Sequence, residues 1–411
     1  MKIRELHARQ IFDSRGVPTL EAQAVLTDGS IGVGSAPSGA STGSGEAHEL
    51  RDGGEAYSGK GVSRAIENVN TRIRGALVGM RADRQGEIDR RMIDLDESND
   101  RSDLGGNAMI AVSMAVADAA AKSAGMELFQ WLGGIQAGEL PCPMLNVING
   151  GRHAGNNLEI QEFMLVPVGA DSFHEAMRMG SECYHALKKL LAEEGLSTAV
   201  GDEGGFAPNL SRDEEALDYL MRAIERAGWR PGEDVCLALD VAASEWMGEE
   251  GYVQIKSGRR FSREELMDFY HGLSAQYPLV SIEDPLDEED FDGFRSITDM
   301  LGDEMMIVGD DLFTTNTQRL FKGISAGAAN AILIKPNQIG TLTETFEAIQ
   351  LARRSGYSVI VSHRSGETES SAIADIAVAT GAEFIKSGAP ARSERLAKYN
   401  RLLAIESMLY K

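Results

Sequence analysis

Six short apolar runs in the second half of the chain, VCLALD, LVSIED, MIVGDD, NAILIK, YSVIVSH and AEFIKS, each close on charged or titratable residues. Asp240, Glu283, Asp310, Lys335, His363 and Lys386 are those terminal groups, spaced 43, 27, 25, 28 and 23 residues apart. That spacing is close to one strand plus one helix, repeated. A charge straight after four or more apolar residues is unfavourable inside a buried strand. At the C-terminal mouth of a (β/α) barrel, where active sites are assembled, it is expected. A lone strand-end Asp or Glu is more often a helix cap or a solvated loop residue. Six at matched positions are poorly explained that way. The reading is an α/β barrel whose mouth sets three carboxylates against two lysines and a histidine.

The segments between the runs fit the same rhythm. SRDEEALDYLMRAIERAGW reads as an amphipathic helix, with Ser211 and Glu214 as a capping box and Leu217, Leu220, Met221 and Ile224 as its apolar stripe. The chain before residue 135 has another texture. IRELHARQIFDSRGVPTLEAQAVLTDGSIGVGSAP alternates β-formers with turn signals and predicts an antiparallel meander. A Gly- and Ser-rich loop follows, then two helical patterns, of which NAMIAVSMAVADAAAKSAG is almost uncharged and should be buried. The expected organisation is an α+β domain over residues 1–135 and a barrel carrying the site over 140–411. A length of 411 residues suits two units.

Lys+Arg 40 against Asp+Glu 63 leaves a formal charge of -23. Such a surface repels phosphate backbones, so nucleic acid is not an expected partner. An anionic substrate would need a local cluster of cations or metal ions. Three cysteines, Cys142, Cys183 and Cys236, are too few and scattered for a disulfide framework or a zinc site. MKIRELHARQ lacks the apolar region of a signal peptide and no run of eighteen apolar residues occurs, so a cytoplasmic protein without membrane contact is expected.

Three converging carboxylates repel one another unless a cation sits among them. Hard oxygen donors favour Mg²⁺ or a similar ion. A lysine beside such a site is under pressure to lose its proton and is a candidate base. VGDEGGFAPN adds Asp202 and Glu203 on a turn that Gly204 and Gly205 permit. SHRSGETES packs His363, Arg364 and Ser365 into a donor-rich loop suited to phosphate or carboxylate. NGGRHAGNN places His153 in a Gly/Asn loop, where it could equally be a hydrogen-bonded loop residue.

In their fixed order these motifs resemble the enolase (phosphopyruvate hydratase) family. The likeness spans nearly the whole chain, through RQIFDSRGVPTLE, SGASTG, NVINGGRHAGNN, IQEFM, GDEGGFAPNL, ALDVAASE, SIEDPLDE, GDDLFTTN, KPNQIGTLTET, SHRSGET, IKSGA and RSERLAKYN. The resemblance implies an atypical (β/α)8 barrel that opens ββαα, with a smaller N-terminal α+β cap. It implies a hydro-lyase that converts 2-phospho-D-glycerate to phosphoenolpyruvate in glycolysis and gluconeogenesis, with two Mg²⁺ ions in the closed complex. By motif, Asp240, Glu283 and Asp310 match the ligands of one Mg²⁺, and Ser41 matches a residue that helps hold the second. Lys335 matches the base at C2, and Glu203 the acid at the C3 hydroxyl, with Glu162 and His153 at the hydroxyl end. Gln161, His363, Arg364, Ser365 and Lys386 correspond to substrate-binding positions. Because hydroxide leaves poorly, Glu203 is expected to be protonated when it acts, helped by the charges of Glu162 and Asp202. The family also implies a small phosphorylated anion as substrate and a homodimer or homo-octamer.

Several positions depart from the usual family wording, among them Gly45, Arg152, Pro336, Ser370, Ser371 and Ala391. None removes a group with a named role. They allow a second reading, a biosynthetic dehydratase acting on an analogue such as a carboxyphosphono derivative, with Arg152 meeting the extra anionic group. A third, a non-catalytic binding protein on the same scaffold, is opposed by the intact Glu203, Lys335 and metal carboxylates. For Arg152 the alternatives are contact with substrate or pairing with an acidic neighbour.

Overall fold

The computed structural model describes residues 1–39, 43–248 and 251–410. Ser41, expected at a second metal, lies outside the described residues. The chain opens with an antiparallel meander of β1 (Ile3–Phe12), β2 (Pro18–Leu26) and β3 (Ile31–Ser35). Leu20, Ala22, Ala24 and Leu26 alternate along β2 and all point into the core, as a two-residue period requires. The helix Gly106–Ser123, apolar on every side and buried along most of its length, lies across β2 and β3. Gly32 and Gly34 make that approach possible: a Cβ there would sit 2.1 Å from the Ala115 carbonyl oxygen and 2.2 Å from that of Ala111.

The second part is a closed eight-stranded barrel. It begins with β4 (Cys142–Asn149) and β5 (Glu162–Val166), followed by the helices Phe173–Glu193 and Asp213–Arg226, and then β6 (Cys236–Asp240). A small sheet of β7 (Met247–Gly248), β8 (Gly251–Val253) and β9 (Arg260–Phe261) interrupts the rhythm. Strands β10 (Leu279–Glu283), β11 (Met306–Gly309), β12 (Ala331–Ile334), β13 (Ser358–Ser362) and β14 (Phe384–Lys386) complete the ring. The closed order is β4-β5-β6-β10-β11-β12-β13-β14, with β5 antiparallel to both neighbours and the other pairs parallel. The atypical ββαα opening is therefore present. Met144, Met164, Val166, Ala238, Val308, Ala331, Leu333 and Ile360 form a buried cluster within the ring, the packed interior such a barrel needs.

One local expectation fails. The helix Asp213–Arg226 has Arg212 at its N-cap with no side-chain cap, so Ser211 and Glu214 form no capping box. Asp213 instead accepts the backbone N–H groups of Glu159 (2.9 Å) and Ile160 (3.3 Å), and the Ser211 N–H donates to Glu215. A tertiary carboxylate contact has replaced the local one and moved the helix start. Leu217, Leu220 and Ile224 are buried and Met221 packs beside them, so the stripe itself holds.

The first part is tied to the barrel mouth by backbone. Ser38 and Gly366 exchange N–H to carbonyl bonds of 2.8 Å, and the Ala47 N–H donates to the Gln338 carbonyl at 2.7 Å. Among the described residues no single helix is long and apolar enough to cross a membrane.

Candidate active site

Asp240, Glu283 and Lys386 are the last residues of their strands, while Asp310, Lys335 and His363 lie one residue beyond theirs. All six runs thus deliver their polar ends to one rim. Register sets Glu162 opposite Asp240 and Glu283 beside it. The Lys386 ammonium sits among them, 2.9 Å from Asp240, 2.9 Å from Glu283 and 3.2 Å from Glu162. Burial works against its charge, but Asp240 and the two glutamates hold Lys386 firmly protonated. Burial and the charge of Asp240 push the Glu283 carboxyl well up. Burial also acts on Asp240, yet Lys386 carries it below the usual carboxylate value.

Asp310 is ion-paired with Lys335 and accepts Gln338 Nε2 at 3.0 Å. Behind it, Asp284 turns through a positive φ of 42° and accepts the backbone N–H groups of Asp310 (3.0 Å) and Asp311 (2.9 Å). Burial and the charge of Asp310 raise Asp311 to about 8. Burial favours the neutral form of Lys335, but the carboxylate of Asp310 holds it above its ordinary value, which favours the ammonium.

At the other side of the mouth, Gly204 at φ 87° turns the chain so that the buried Glu203 faces inward. Its Oε2 accepts Asn146 Nδ2 at 2.9 Å. His153 Nδ1 lies 3.6 Å from Glu162 and 3.7 Å from Glu203, and His363 Nε2 is 3.6 Å from Glu203. Arg395, fully buried, donates to His363 Nδ1 at 2.6 Å and to the carbonyls of Asp202, Arg364 and Ser365. That bond leaves the His363 proton on Nε2, and burial keeps the ring neutral. Burial and the charge of Glu203 raise Glu162 well above the carboxylate range. Burial acts on Glu203 too, but His153 and Arg395 keep it well below. The two shifts are opposite in direction and favour the proton of this pair on Glu162, whereas Glu203 is expected to carry it at the moment it acts. Asp202, expected to help, is exposed and offers Arg395 only its carbonyl.

Arg364 is buried and forks onto Glu46 at 2.9 and 3.1 Å. Ser365 lies 3.4 Å from Arg15, and Gln161 reaches Asp240 at 3.4 Å. His153, Gln161, Glu162, Glu203, Asp240, Asp310, Lys335, His363, Arg364, Ser365 and Lys386 line one cavity, with Glu283 behind Lys386. Arg152 is more than half exposed and pairs with Glu245 at 2.7 Å, the acidic-neighbour alternative. Sequence reasoning missed Asn146, Asp284, Gln338 and Arg395. Asn146, a polar residue inside the apolar run of β4, and Asp284, which closes the run LVSIED, were the ones with a visible signal.

A closed eight-stranded barrel whose rim joins carboxylates, two lysines and a donor-rich loop defines a class, the barrel enzymes that carry their site at one end of the strands. Residues 137–411 match the family model for the enolase C-terminal TIM barrel domain, and residues 3–132 that for the enolase N-terminal domain. Two relatives from Tropheryma whipplei, strains Twist and TW08/27, each named Enolase, are 55% identical over 408 residues, covering 99% of this chain and 95% of theirs. The chain belongs to the enolase family, hydro-lyases of the phosphopyruvate hydratase type.

Proposed function

We propose that this chain dehydrates 2-phospho-D-glycerate to phosphoenolpyruvate with Mg²⁺. The observation that carries the reading is the joining of Lys335, Glu203, Lys386 and Arg364 in one cavity at the barrel mouth. Asp240, Glu283 and Asp310, buried carboxylates at the ends of adjacent strands, are hard oxygen donors that would suit a divalent cation, and the oxygens of Asp310, Asp284 and Asp311 already lie within 4.8 Å of one another. When bound, Mg²⁺ would supply positive charge to the substrate carboxylate and take up carboxylate charge that otherwise keeps Lys335 protonated.

Arg364 and Ser365 hold the phosphate, with Arg364 exchanging its fork on Glu46 for phosphate oxygens. Lys386 faces the substrate carboxylate, where charge grows as C2 loses its proton. Lys335 takes that proton. The Glu162–Glu203 pair shares one proton and delivers it through Glu203 to the C3 hydroxyl, which leaves as water. Asn146 keeps Glu203 aimed throughout. Arg152 is engaged with Glu245, which favours the plain substrate over an analogue with a further anionic group. Turnover of 2-phosphoglycerate by the purified protein, with Mg²⁺ and with chelator, tests the reading. No turnover with Mg²⁺ present would overturn it.

A further inference from the structure

The segment between β4 and β5 carries His153, whose ring is almost fully covered and whose Nδ1 has no hydrogen-bond partner. It stands just outside hydrogen-bond range of both Glu162 and Glu203, so a small shift decides which it meets. The segment is held from outside the barrel. Lys256, in the turn between β8 and β9, places Nζ 2.9 Å from the Gly151 carbonyl, 3.3 Å from Ala154 and 2.8 Å from Leu158. An ammonium has three N–H donors, and here each has its own acceptor. Gly151 and Ala154 bracket His153, so the contact fixes the chain on both sides of the imidazole.

Lys256 is itself anchored. Its backbone N–H donates to Glu159 at 2.8 Å, as does that of Ser257, and the Glu159 N–H donates to Asp213. From the mouth side, Arg152 ties the same segment to Glu245, five residues after Asp240. Between the two ties lies a cavity of about 260 Å³ bounded by Trp246 and Ile255, room for the segment to relax into once released.

We infer that Lys256, seconded by Arg152, is a positioning residue that sets the height of His153 over the Glu162–Glu203 pair. The inference rests on the catalytic reading of the mouth, but its first readout does not. Lys256→Met keeps the aliphatic stem and removes the three donors. In the full-length protein, the ¹H–¹³C imidazole resonance of His153, assigned by its loss in His153→Gln, should move while that of His363 stays. With 2-phosphoglycerate, kcat should fall about ten- to a hundredfold and KM change little, the scale of a misplaced catalytic group. Lys256→Cys alkylated with 2-bromoethylamine restores an ammonium at the same reach, and should restore both resonance and kcat. An unmoved His153 resonance in Lys256→Met, or an alkylated protein that recovers neither, overturns the inference. Should Lys256→Met not fold, Arg152→Ser is read instead: a smaller shift of the same resonance supports the tie, and none overturns it. A wild-type protein that fails to turn over 2-phosphoglycerate would sink the proposed reaction while leaving the resonance test intact.

Discussion

Lys335 and Glu203 divide the proposed reaction, and single substitutions separate them. Lys335→Ala should abolish exchange of the C2 hydrogen with solvent deuterium while Mg²⁺ binding stays nearly intact, since Lys335 is none of the proposed ligands. Retained exchange would remove it as the base. Glu203→Gln should block dehydration yet permit exchange, because the C2 proton leaves before hydroxide does. Equal loss of exchange in both variants would contradict the stepwise order. For Arg152→Ser, the half-exposed pair with Glu245 bounds the loss of folding stability at about 0–1 kcal/mol by urea denaturation. Lys335 was legible because a charge at the end of an apolar run has few structural reasons to be there, whereas Glu203 and Arg152 were read from the motifs GDEGG and NGGRHAGNN and from the family resemblance. Arg395 and Gln338 were not: each sits in an ordinary helical stretch and acquires meaning only when the fold brings His363 or Asp310 against it.

Among the elements, the β3–helix contact is the least forgiving. Gly32 and Gly34 leave no space for a methyl group, and the atoms in the way belong to helix backbone. Helix and sheet would have to part along their length, so Gly34→Ala should cost about 1–3 kcal/mol by overpacking, read as a lower urea midpoint with unchanged slope. A variant as stable as the parent would mean that the helix yields freely. The rhythm of strands and helices was readable because buried parallel strands are uniformly apolar and their ends are not. The start of the helix Asp213–Arg226 was misread for the opposite reason. A capping box is a local signal, and the pull of Glu159 and Ile160 on Asp213 is not local. The β4–β5 reversal, likewise, came from the family resemblance rather than from any periodicity.

Over the whole molecule, the buried carboxylates whose pKa is raised make stability depend on pH in a direction opposite to ordinary acid unfolding. Burial raises Asp213 from 3.8 to about 6, and burial with the charge of Asp310 raises Asp311 from 3.8 to about 8. A carboxyl whose pKa is higher in the fold than in the unfolded chain binds its proton more tightly in the fold. Its contribution is complete below the unfolded value and is lost as pH climbs through the folded one. These two groups should therefore cost the metal-free protein stability in two overlapping stages that both begin above 3.8, the Asp213 stage complete near pH 6 and the Asp311 stage near pH 8. The two stages differ in place. Asp213 is bound to the segment before β5, whereas Asp311 adjoins the proposed Mg²⁺ ligand Asp310. Mg²⁺ bound at the mouth offsets the carboxylate repulsion there and stabilises the fold by mass action, so it should flatten the upper stage and spare the lower. Asp213→Asn retains an oxygen for the two backbone N–H groups and should remove only the lower stage. Urea midpoints across the pH series, with chelator and with Mg²⁺, measure both. A Mg²⁺ effect of the same size at pH values below and above both stages would show that the ion binds away from Asp310, and would separate the acidic mouth from the metal site proposed for it.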